Sequence, residues 1–118
     1  MAKLRAPGGC PWDRAQTHRS LLRYLGEESA EVARAVRRGD SANLKEELGD
    51  LLLQILFHSD IAKEAGRFDI YDVLTVLRDK LKRRHPHVFG PGPKERLTPA
   101  EVLRRWNLIK ASEKRLKA

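Results

Sequence analysis

The sequence has 118 residues, 34% of them charged and 6% aromatic, with a net charge of +8 and one cysteine. That length suits a single domain with a modest core, and the composition fits a well-solvated helical protein better than a β-sandwich. The lone Cys10 excludes an internal disulfide and the Cys/His set of a zinc site, and the longest apolar run, 51–57, is broken by Gln54 and far too short to span a membrane.

A reducing, cytoplasmic setting is expected, and the N-terminus lacks the apolar segment of a secretory signal. The charge is unevenly placed. From Arg78 onward thirteen Lys or Arg stand against four Asp or Glu, whereas the first 77 residues carry eleven against twelve. A basic C-terminal third suits a polyanion, nucleic acid or phosphate groups, or is a solvated tail.

Residues 1–16 read as an irregular lead-in, rich in Pro and Gly. A first helix is expected over 17–38, capped by Thr17 and ended by Gly39, with Leu21, Leu25, Val32 and Val36 on one face. A second should start near Asp40 or Ser41 and run to Glu64, with Gly66 as its stop. Its apolar face is Leu44, Leu48, Leu51, Leu52, Ile55 and Leu56. The short link at Gly39 makes the two an antiparallel hairpin. Asp69 caps a third helix carrying Ile70, Val73, Val76, Leu77 and Leu81, which ends before Pro86. Residues 86–97 form a loop, and Thr98-Pro99-Ala100-Glu101 opens a C-terminal helix over 98–118 through Leu103, Trp106 and Ile109. No strand is expected. The fold class is all-α, a single domain over 1–118.

Acids stand where these helices should be apolar. Glu28 lies in line with Leu21, Leu25 and Val32, and Glu31 follows three residues later; Glu47 and Asp50 flank the second seam, again three apart. If the hairpin packs on these seams, four carboxylates converge. Like charges repel and burial adds several kcal/mol per ion, so something must offset the cost, and a divalent cation is the simplest answer. Oxygen donors without His or Cys favour Mg²⁺ or Mn²⁺ over Zn²⁺, and the Glu-x-x-His of a di-iron bundle is absent. The alternative is a set of exposed acids with basic helical neighbours, as in Glu31–Arg34 and Glu27–Arg23.

Cys10-Pro11-Trp12-Asp13, Gln16-Thr17-His18, Glu27-Glu28-Ser29-Ala30-Glu31, Glu46-Glu47-Leu48-Gly49-Asp50, Gly66-Arg67-Phe68-Asp69 and the run from Lys80 through His85-Pro86-His87-Val88-Phe89 occur in that order. Together they resemble the MazG nucleoside triphosphate pyrophosphohydrolases, of the all-α NTP pyrophosphatase group, from Cys10 to about Lys110. The signature EExxE, a gap, then ExxD is present, with fifteen residues between Glu31 and Glu47. The resemblance implies Mg²⁺-dependent hydrolysis of an NTP to NMP and pyrophosphate, with Mn²⁺ as a substitute. It implies Glu28, Glu31, Glu47 and Asp50 as metal ligands, and Lys80 and Arg84 as phosphate-binding cations. Trp106 and Lys110 belong near the nucleotide. Glu27 or Glu47 is the expected general base. A four-helix-bundle type of fold, completed by a homodimer or dimer of dimers, is also implied, as is house-cleaning of modified nucleotides. Gly26 departs from the family, which often has an apolar residue there; it would allow a close helix approach or a kink.

Other residues read more plainly. His85 and His87 flank a proline and do not share a helical face, so a structural role is expected. His18 and His58 are expected to be partly buried hydrogen-bonding residues, and Trp12 and Phe89 anchors of irregular segments. Cys10 shows no acid–base partner nearby in sequence, so no nucleophilic role is expected of it. A basic helical nucleic-acid-binding protein is the alternative reading; it leaves the acid cluster unexplained.

Overall fold

The computed structural model describes residues 1–117. Among them the chain is all helical: α1 (Ala2–Arg5), α2 (Pro11–Ala15), α3 (Leu22–Arg38), α4 (Ser41–Glu64), α5 (Ile70–Arg84), α6 (Pro86–Phe89) and α7 (Pro99–Lys117). The chain divides into two compact units, Met1–Val73 and the stretch from Leu74 onward, with the boundary inside α5.

The first unit is built on the α3–α4 hairpin. Gly39 ends α3 in the left-handed region at φ 66°, and its N–H and that of Asp40 close back onto the Val36 and Ala35 carbonyls. Asp40 caps α4, its Oδ1 accepting from the Asn43 N–H at 3.1 Å. Gly66, at φ 71°, repeats the closing device after α4, with its N–H bonded to Lys63 O and that of Arg67 to Ala62 O. Asp69 and Asp72 then cap each other's backbone N–H groups at 2.9 and 3.0 Å, starting α5.

The start of α3 corrects the expectation. Thr17 does cap a turn, exchanging bonds with Ser20, and its carbonyl accepts from Leu21 N. The Leu22 N–H, however, bonds to Arg19, three residues back, so that turn is tight and separate. The lead-in is also more ordered than expected. Pro11 opens α2 at a position where its missing N–H costs nothing, and Cys10 O accepts from Arg14 N. One-turn helices such as α1, α2 and α6 are too short to show a period in sequence.

Arg5 ties this lead-in down. The residue is only 8% exposed, and its guanidinium donates to Glu64 at 2.7 Å and to the carbonyls of Asp13 and Gln16 at 2.5 and 3.1 Å. Leu21, Ala35, Phe57 and Ala62 are the buried apolar residues. The expected seams are buried only in part. Val36 on α3 and Leu48, Leu52 and Ile55 on α4 are 59, 49, 52 and 41% exposed. The physical reason on α4 is that apolar residues occupy more than one side, and α3 covers one.

In the second unit, the N-terminal end of α7 carries the expected cap, with Glu101 N donating to Thr98 Oγ1 at 3.2 Å. The 86–97 segment is not wholly a loop, because Pro86 opens α6 and the His85 carbonyl accepts from both Val88 and Phe89. Arg83 and Arg84, at the end of α5, both meet Glu113 of α7. No helix among the described residues is long and apolar enough to cross a membrane.

Candidate functional site

The hairpin brings Glu28 of α3 together with Glu47 and Asp50 of α4. Each offers a carboxylate oxygen, and these atoms all lie within 4.8 Å of one another. Helical spacing puts Glu47 and Asp50 on one side of α4, and the tight turn at Gly39 sets α4 back against α3 with Glu28 opposite. Glu28 and Glu47 are half-buried and Asp50 is exposed, so the cluster is open to a ligand on one side.

Burial and mutual repulsion both act on these carboxylates. Burial, and then the Asp50 and Glu47 carboxylates, push the Glu28 carboxyl above the usual carboxylate range. Burial, and then Glu31 and Asp50, do the same for Glu47. Each shift reflects a cost to the ionised form that a bound cation would remove. Three hard oxygen donors without nitrogen or sulfur fit Mg²⁺ or Mn²⁺.

The other acids of the signature are engaged differently. Glu31 accepts from Arg34 Nη2 at 2.5 Å, and Glu27 from Arg23 Nε at 3.1 Å. For these two the surface-pair reading describes the geometry, although the Glu31 charge still acts on Glu47. α3 runs continuously through Gly26, and an added Cβ there would meet nothing within 4 Å, so a close helix approach within the chain does not explain it.

The cationic residues lie in the second unit. Lys80 is half-buried on α5 and Lys110 exposed on α7. Arg84 is paired: its Nε and Nη2 donate to the two Glu113 oxygens at 3.3 and 2.8 Å, and Arg83 Nε reaches the same carboxylate at 2.7 Å. The Arg84 guanidinium also lies over the Trp106 ring, 5.2 Å from its centroid, with the His85 ring edge-on to Trp106 at 5.0 Å. Trp106 thus sits between Arg84 and His85, the histidine itself bonded to Leu81 O at 2.6 Å.

Sequence reasoning missed Glu113 and Arg5. Their partners lie 29 and 59 residues away, with no periodic signal to link them. His18 and His58 are hydrogen-bonding residues, as expected, and they bond to each other, Nδ1 to Nδ1 at 2.7 Å. Burial and His18 hold His58 below the ordinary histidine range. The buried His58 Nε2 has no partner, so the arrangement with His58 Nδ1–H donating and its Nε2 bare avoids a buried unpaired donor. Trp12 is edge-on to Tyr24 and Phe57 at 5.5 and 6.2 Å, anchoring α2.

Known proteins bear on this geometry. The family model described as MazG nucleotide pyrophosphohydrolase domain matches residues 16–89. A nucleoside triphosphate pyrophosphohydrolase/pyrophosphatase MazG of Thermotoga maritima is 51% identical over 97% of this chain and 42% of its own length. A nucleoside triphosphate pyrophosphohydrolase of Escherichia coli is 47% identical over 100% of this chain and 44% of its own. The crystal structure of a mazG-related protein from Thermotoga maritima superposes with a TM-score of 0.71 at 31% identity, covering 88% of this chain and 89% of that one. The chain spans less than half the length of these two curated relatives.

Proposed function

The chain belongs to the MazG nucleotide pyrophosphohydrolase family, and from that premise we propose that it hydrolyses nucleoside triphosphates between the α and β phosphates, releasing NMP and pyrophosphate. The observation that carries the proposal is the Glu28, Glu47 and Asp50 cluster, three carboxylates on a helix hairpin with two of them held above their ordinary range.

In this reading Glu28, Glu31, Glu47 and Asp50 hold Mg²⁺, or Mn²⁺ in its place. Glu31 would leave Arg34 to join the set. A metal held there would neutralise phosphate charge, including that which builds on the leaving pyrophosphate. A carboxylate, Glu27 or Glu47, accepts the proton of the attacking water. Lys80, Arg84 and Lys110 bind phosphate oxygens and Trp106 lies by the nucleotide, a role consistent with a basic C-terminal third. The lone Cys10 fits a reducing, cytoplasmic setting.

We further propose that a second copy of the chain completes a four-helix-type bundle, as a homodimer or dimer of dimers. The support is the exposed stripe Leu48, Leu52 and Ile55 on α4. These side chains are about half exposed, so covering the remainder is worth about 1 kcal/mol each.

The test is pyrophosphate release from a panel of ribo- and deoxynucleoside triphosphates, with Mg²⁺ and with chelator. The panel includes modified bases, because house-cleaning of modified nucleotides is the role the family resemblance implies. Metal-dependent pyrophosphate with the matching monophosphate is expected. Orthophosphate release would place cleavage at the γ position and overturn the reading.

A further inference from the structure

Arg84 is the most constrained of the proposed phosphate-binding cations. Its side chain is 17% exposed and that of Glu113 15%. Glu113 takes the Nε/Nη2 edge of the guanidinium in a two-point contact, while Nη1 has no hydrogen-bond partner among the described residues. The Trp106 ring covers one face, and His85 in turn braces Trp106. The fork is therefore fixed on one edge and one face, with its Nη1 end left to donate.

We propose that Glu113 is a positioning residue that aims Arg84 at a substrate phosphate. The proposal rests on the reading of Arg84 as a phosphate-binding cation. A long arginine side chain loses rotamer freedom when it binds, and a partner that has already fixed its fork removes much of that cost. Glu113 also bonds Arg83, which keeps the carboxylate in place while Arg84 engages a ligand. Two guanidiniums against one carboxylate leave this corner with a positive charge, so the pairing orients Arg84 without cancelling its attraction for a polyanion.

The experiment compares wild type with E113A, E113Q, R84A and the R84A/E113A double variant. KM and kcat for an NTP are measured with Mg²⁺, and binding of inorganic pyrophosphate is measured by calorimetry in chelator. The expected result is that E113A weakens pyrophosphate binding and raises KM by about tenfold, the scale of a lost charge-assisted contact, while kcat stays within about twofold. E113Q, which keeps one acceptor, should fall between E113A and wild type. On the R84A background, E113A should add nothing. Unchanged or tighter binding in E113A, or a full additional loss on the R84A background, would overturn the proposal. If E113A does not fold by circular dichroism, E113Q alone and on the R84A background carries the same comparison. A wild type that binds pyrophosphate with this coupling yet releases none from any NTP would sink the enzymatic reading and leave the pairing intact.

Discussion

Glu113 lies under two arginines, and the Arg84 hydrogen bond first, then that of Arg83, holds its carboxyl at about 2. A depressed carboxylate stabilises the fold above its ordinary titration range, and that contribution is lost as pH falls toward about 2. The melting temperature of wild type should exceed that of E113Q at about pH 6, and the gap should close on acidification. His58 runs the other way in charge. Its neutral form is favoured in the fold, so the unfolded chain takes up the proton first as pH drops below about 6.5, and stability falls through that window. Wild type should therefore lose melting temperature on going from about pH 7.5 to 5.5 more steeply than H58Q. At the carboxylate cluster, E47Q and D50N should abolish pyrophosphate release while circular dichroism shows retained helix. Turnover in either variant would sink the ligand assignment. Glu28, Glu47 and Asp50 were legible because helical spacing states which side chains share a side. Glu113 and Arg5 were not, because an ion pair between distant positions leaves no pattern along the chain.

The element boundaries were legible wherever a cap or a left-handed glycine marks them. Gly39, Asp40, Gly66, Asp69 and Thr98 all act as their residue types require. Two glycine substitutions separate the two uses of that residue. Gly26 lies inside α3 with open space where a Cβ would go, so G26A should stabilise by about 0.5–1 kcal/mol. Gly39 sits at φ 66°, where a side chain is strained, so G39A should destabilise by about 1 kcal/mol or more. Chemical denaturation with an unchanged slope would read both. The one-turn helices α1, α2 and α6 escaped notice for a simple reason. A helix of four or five residues spans barely one turn and shows no period, and only α2 and α6 carry a proline start.

At the scale of the whole molecule, the exposed stripe of α4 is one apolar surface that a second copy of the chain could cover. If a second copy covers it, light scattering at micromolar concentration should give a dimer or tetramer, and L52E should shift the protein toward monomer. A wild-type monomer would remove that assembly. The same stripe is not the core. Leu48 and Ile55 have the spacing of a buried seam, yet they stay about half exposed, and Phe57 and Ala62 go inside instead.

From residue type and order alone came the helical class, the hairpin with its caps, and the acid signature with the metal chemistry it implies. These are local properties, set by backbone preferences and by spacing on one helix. Tertiary structure decided which apolar side of α4 is buried, that Glu31 and Glu27 turn to arginines while three acids converge, and that Arg84 is held by Glu113. Each depends on side chains far apart in the chain meeting in space, and only packing sets those distances.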